Sequence, residues 1–184
     1  DHVENEGLAF VYAGGNLVRI AGPSRESICA ARDVPITLDG AAAHNIANAL
    51  GAAAPTEQLG MSVAEIREGL TSMSQDANPG RSNIYPIQDF KVLVDFAHNP
   101  EAMQALFAMA RALPARRRAL CFCQAGDRTD EQIRELARSA WSIGLDFACI
   151  AELANYRRGR EEGEVFGLLR DELIQCGARE DQIR

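Results

Sequence analysis

Asp95, His98 and Asn99 fall close together in Lys91-Val-Leu-Val-Asp-Phe-Ala-His-Asn-Pro100, and they offer a carboxylate, an imidazole and a carboxamide to a ligand. The apolar run that ends at Asp95 reads as a buried strand. Asn99, Pro100 and Glu101 read as a helix N-cap, a proline at the first helical position and an acid favoured by the helix dipole. Asp95 and His98 are therefore expected at the carboxyl end of a strand. That is the edge at which open parallel sheets bind ligands, and where a helix N-terminus presents unpaired N–H groups to an anion such as a phosphate. This geometry suggests a nucleotide, although the same residues would equally serve to fasten a βα loop.

The elements that must position these residues alternate along the second half of the chain. Strands are expected near 91–95, 118–123 and 146–151, and helices over 100–112, 130–142 and 163–176. Such a βαβ series implies a parallel sheet flanked by helices, with one common ligand edge. The loop Gln124-Ala-Gly-Asp-Arg-Thr129 falls on that edge with Asp127 and Arg128, and Thr129 with Gln132 forms a capping box. The next loop, Asn155 to Gly163, brings Arg157, Arg158 and Arg160, whose planar forks suit phosphate or carboxylate. A solvated basic loop would look the same.

The first half reads differently. Leu8–Tyr12 and Leu17–Ile20 alternate around Ala13-Gly-Gly-Asn16 as a hairpin. A short strand is expected at Val34–Leu38, an Ala-rich helix over 41–54 carrying His44, Asn45 and Asn48, and an amphipathic helix over 62–73 capped by Ser62 and Glu65. Ser74 to Gly80 is polar and ends in Pro-Gly, so a domain boundary is placed between residues 79 and 80.

With 184 residues and a net charge of −7, the chain is a poor match for a general nucleic-acid or membrane-surface binder. Lys91 is the only lysine, so no phosphate-cradling Gly-x-x-x-x-Gly-Lys loop is present. The five cysteines form no Cys-x-x-Cys pair and four of them lie in apolar surroundings, as expected of reduced thiols in the cytoplasm. The start without Met, within a hairpin pattern, reads as an excised piece of a longer protein.

The ordered set Gly40…His44-Asn45…Asn48, Gly80-Arg81-Ser82-Asn83, Asp95-Phe-Ala-His-Asn-Pro100 and Gly126-Asp127-Arg128 resembles the Mur ligase superfamily. The likeness runs from the end of the central ATPase domain (1–79) through the C-terminal domain (80–184). Gly-Arg-x-Asn in place of Gly-Arg-x-Glu, and Arg158-Gly-Arg160 followed by Gly163-Glu-Val165, resemble the cyanophycin synthetase group. The fold implied is α/β: a Rossmann-like C-terminal domain with a parallel-rich sheet flanked by helices, preceded by an α+β remnant of the ATPase domain.

This resemblance implies an ATP-dependent ligase that activates a carboxylate as an acyl phosphate for attack by an amine, such as arginine joining an aspartate side chain. It would place Asn45 at the adenine with His44 close by, Arg81 at the ribose or phosphates, and Asp95 on the ribose hydroxyls. His98 and Asn99 would line the cleft over ATP. Asp127, Arg128, Arg158 and Arg160 would lie towards the amino-acid or peptide substrate. Magnesium would accompany ATP, with its ligands mostly in the N-terminal domains of the parent protein, and the fragment alone would be inactive. A non-catalytic nucleotide-binding module and an interaction domain are the other classes compatible with these residues.

Overall fold

The first strands form because short β-branched and aromatic runs meet at glycine turns. In the computed structural model, which describes His2 and residues 7–184, β1 (Leu8–Ala13) and β2 (Asn16–Ala21) pair antiparallel around Gly14-Gly15, both at positive φ. A third strand that the sequence does not announce, β3 (Ser24–Ala30), completes a meander on the other edge of β2. Its exposed half is polar, so alternation is weak there.

The strand expected at Val34–Leu38 is instead a pair of 3-10 turns, Ala31–Asp33 and Pro35–Thr37. Pro35 fixes φ and has no N–H for a ladder. Thr37, fully buried, sends its hydroxyl to the carbonyls of Ala31 (2.6 Å) and Val34 (2.9 Å). Leu38, Asp39 and Gly40 then run left-handed, so α1 starts only at Ala43 and continues to Gln58. Its far end is tied back to the sheet, where Arg19 grips Glu57 with contacts of 2.6 to 2.8 Å. α2 (Val63–Ser72) follows with the expected capping box, and both helices bury one face against Leu17, Ile28, Val34 and Ile36.

After a 3-10 turn at Gln75–Ala77, β4 (Asn83–Ile87) and β5 (Phe90–Val94) form an antiparallel hairpin. Here the expectation is corrected. The strand ending at Asp95 pairs with β4, a partner hidden in the sequence by Pro86 and by a turn that places Gln88, not glycine, at φ 50°. The chain divides into two compact units, Asp1–Phe96 and Ala97–Arg184.

The second unit holds α3 (Pro100–Ala112), β6 (Ala119–Phe122), α4 (Asp130–Trp141), β7 (Phe147–Ile150) and α5 (Glu164–Gln175). β6 and β7 pair in parallel, and the chain end adds a third parallel position, where Arg184 N–H donates to the Ala148 carbonyl (2.9 Å) and Ile150 N–H to that of Arg184 (2.6 Å). The helices bury Phe107, Ile133, Leu136, Leu169 and Leu173 with Ala148 and Ile150 of β7. A buried Glu172 accepts from Arg138 at 2.9 Å, which fastens α5 to α4.

The α2 cap gives a pH test. The Ser62 hydroxyl and backbone hold the Glu65 carboxyl below its usual range, so the cap is complete above the ordinary glutamate pKa and is lost as pH falls through the depressed one. The protection of the first-turn amides of α2, taken relative to their intrinsic exchange rate at each pH, is expected to drop over that window in wild type. In Glu65→Gln, whose amide does not titrate there, the drop should be absent.

Candidate functional site

Asn83 organises the approach to the first group of residues. It is 1% exposed. Its Oδ1 accepts from Gly80 N–H (2.5 Å) and Arg81 N–H (3.1 Å), and its Nδ2 donates to the Gln75 carbonyl (2.8 Å). The Gln75 side chain in turn accepts from Ile84 N–H at 3.0 Å. This web holds Ser82, itself 3% exposed, at a left-handed φ of 53°, a conformation rare for a side chain with a Cβ.

The β4–β5 register, with Asn83 opposite Val94, carries Ser82 alongside Asp95. Ser82 donates its N–H to Asp95 Oδ2 (2.8 Å), its Oγ lies 3.1 Å from the same oxygen, and His44 Nε2 lies 3.0 Å from that Oγ. Two residues expected to meet a nucleotide, His44 and Asp95, are thus joined through one hydroxyl. Next to them Arg81 is exposed, with its guanidinium carbon 5.1 Å above the centre of the Phe96 ring. Asn45 is buried and occupied: its Nδ2 donates to the Ile36 carbonyl (2.7 Å) and its Oδ1 accepts from Asn48 (3.2 Å).

In the second unit the loops that follow β6 and β7 are laced to each other and to the segment that leads into α3. Asn99 caps α3 by accepting from Ala102 N–H at 2.8 Å, and the His98 carbonyl accepts from Gln124 at 3.2 Å. Gly126 N–H donates to the Tyr156 carbonyl (2.8 Å), and a Cβ on Gly126 would sit 2.0 Å from the Arg157 carbonyl oxygen. Only glycine fits there. Arg160 completes the lacing, with bonds of 2.5 to 2.8 Å to the carbonyls of Gly126 and Arg128 and to the carboxylates of Asp130 and Glu164. These use four of the five guanidinium N–H groups. The Asp130 bond, with Glu164, raises its pKa further, so Arg160 is a permanently charged strut.

Asp127, Arg128 and Arg158 are exposed on the loops that this strut holds, and Arg158 stands over Tyr156. His98 and Asn99 are exposed on the neighbouring loop. One side chain that the sequence did not single out, Glu152, also occurs here, beside Arg157. Glu152 accepts from Gly163 N–H at 2.8 Å through Oε2, while its Oε1 and the Arg157 Nε are buried without a hydrogen-bond partner among the described residues. An acid at the end of an apolar strand was the available signal. Among the described residues no cluster of His, Cys, Asp and Glu could hold a metal ion, and no helix is long and apolar enough to cross a membrane.

A helix-flanked parallel pair with its loops tied at one edge, preceded by a hairpin that carries an Asp–Ser–His link, defines an α/β protein of the Rossmann-like class. Residues 80–175 match the family model of the Mur ligase glutamate ligase domain. The chain belongs to the Mur ligase family. It is 34% identical over 92% of its length to a cyanophycin synthetase of Geminocystis herdmanii, and 32% identical over 95% to that of Trichormus variabilis. In each case it covers 19% of the relative, so the chain spans about a fifth of the length of these proteins. A murein peptide ligase from Psychrobacter arcticus shares the fold, with a TM-score of 0.62 and 20% identity over 97% of this chain and 35% of that one.

Gly126→Ala is expected to destabilise the second unit by about 1–3 kcal/mol, since the new methyl must displace backbone rather than a flexible side chain. Denaturant titration measures the loss. Hydrogen exchange should place the damage in 124–130 and 155–160, and wild-type stability would contradict the close approach.

Proposed function

We propose that this chain is the nucleotide-closing and amino-acid-receiving portion of an ATP-dependent carboxylate–amine ligase, of the kind that adds arginine to aspartate side chains. The observation that carries the reading is the Asp95–Ser82–His44 link beside an exposed Arg81. A carboxylate suits the vicinal hydroxyls of a ribose, and an exposed guanidinium suits phosphate. Among the described residues Arg81 has no ion-pair partner, so its donors are available to such an anion.

Residues 80–184 act in this reading as the C-terminal domain, and 1–79 as the end of the ATPase domain. Asp95 takes the ribose, Arg81 the ribose or phosphates, and His44 and Asn45 the base side, Asn45 chiefly by fixing the start of α1. His98 and Asn99 are further nucleotide contacts. Asp127, Arg128 and Arg158 face the amino acid or peptide, with Arg160 holding their loops in place. Glu152, with one oxygen unmatched, suits an ammonium group on the incoming amino acid. A cytoplasmic setting fits five cysteines that are all free.

The magnesium that accompanies ATP and the lysine loop that grips its β and γ phosphates have no counterpart among these residues. Phosphoryl transfer needs both. The 184 residues by themselves are therefore proposed to bind nucleotide weakly and to be inert. Whole-protein turnover would belong to a longer chain that contains them.

The test is phosphate release from ATP by that longer protein, offered an aspartate-rich peptide and individual amino acids. Release stimulated by arginine is expected, and Asp95→Ala should lower it by about tenfold or more, since a hydrogen bond to a charged group contributes about 1.5–3 kcal/mol. Release with a different amine would reassign the substrate. No release with any amine would contradict the ligase reading.

A further inference from the structure

We propose, on the footing of the nucleotide reading above, that Ser82 is a positioning residue that sets the tautomer of His44, so that the imidazole offers Nδ1 as an acceptor to the exocyclic amine of an aminopurine nucleotide. The direction of two hydrogen bonds fixes this. Ser82 Oγ lies 3.1 Å from Asp95 Oδ2 and 3.0 Å from His44 Nε2, and it has one proton to give. A carboxylate only accepts. Asp95 Oδ2 therefore receives the Ser82 hydroxyl proton, beside the Ser82 backbone N–H at 2.8 Å. Only lone pairs of Oγ remain for His44, and Nε2 must be the protonated nitrogen.

In a neutral imidazole the other nitrogen is then bare. Among the described residues nothing bonds to His44 Nδ1. His44 sits in the first turn of α1 and is only partly buried, so a ligand has access to the ring. A 6-amino group on a purine donates to such a nitrogen, whereas a 6-oxo group would set lone pair against lone pair. The arrangement selects adenine-type bases by chemistry alone.

Ser82 suits the task because it has little room to move. It is 3% exposed and held at φ 53° by the Asn83 web on one side and Asp95 on the other. Removing the hydroxyl would release the ring to take either tautomer, with Asp95 still in place through the Ser82 N–H. Ser82→Gly deletes the hydroxyl while accepting the left-handed backbone, so it separates this role from a general loss of fold.

The experiment uses the nitrogen-15 labelled chain, with long-range proton–nitrogen spectra reporting which His44 nitrogen carries the proton in wild type and in Ser82→Gly. The same spectra follow titrations with ATP and with inosine triphosphate, which carries oxygen in place of the 6-amino group. Protonated Nε2 and bare Nδ1 are expected in wild type, with mixed tautomers in Ser82→Gly. ATP should bind about tenfold more tightly than inosine triphosphate in wild type, and the difference should vanish in the variant. A tautomer unchanged in Ser82→Gly, or protonated Nδ1 in wild type, overturns the proposal whatever the nucleotides do. The expected tautomers with equal binding of both nucleotides overturn base selection and leave the nucleotide reading standing. Binding of neither, with the tautomers as expected, overturns the nucleotide reading and this proposal with it.

Discussion

The carboxamide of Asn83 is the constraint on which the candidate site of the first unit depends. Burying an amide without partners costs several kcal/mol in an apolar setting, and Asn83 avoids that cost by accepting from Gly80 and Arg81 and donating to Gln75. The three bonds shape residues 75–83 into one turn. That shape forces Ser82 left-handed, and a left-handed Ser82 aims both its N–H and its hydroxyl at Asp95. An acid at position 83 would accept from the two N–H groups but could not donate to Gln75, so the asparagine here is suited to a carbonyl partner.

The second unit is ordered by a different device, a guanidinium surrounded by acceptors. Arg160 reaches carbonyls on the loop after β6 and carboxylates at the starts of α4 and α5. Gly126 lets the two loops approach until backbone meets backbone. Rigid loops then carry Asp127, Arg128 and Arg158 outward with their side chains exposed. A strut of this kind is charge-assisted and mostly shielded, and its contribution is to geometry as well as stability. The basic loop is thus divided: one arginine is spent on architecture while another is exposed above an aromatic ring.

Much of the helical framework was legible because its signals are local. Asn99-Pro100 gives the start of α3, Thr129 with Gln132 that of α4, and Ser62 with Glu65 that of α2, each through bonds spanning three residues. The parallel pair β6–β7 was legible from two short apolar runs separated by a helix. β3 and the β4–β5 hairpin were not, since polar residues, Pro86 and a turn without glycine conceal them. Asp95 could be singled out by its type and its place at a strand's end, and His44 and Arg81 through the family resemblance. Ser82 could not, because its conformation comes from Asn83 and from a carboxylate 13 residues away. Arg160 was read as a ligand arm for the same reason: its acceptors at 126, 128 and 130 are near it only after folding.

Central to the proposed function is a nucleotide site at the Asp95–Ser82–His44 link. Photolabelling the chain with an azido-adenine derivative of ATP at millimolar concentration, followed by peptide mapping, addresses it directly. Adducts in the peptides that carry His44 or the Arg81–Phe96 hairpin, suppressed by excess unmodified ATP, are the predicted result. Adducts confined to other segments, or labelling that ATP does not suppress, would contradict it.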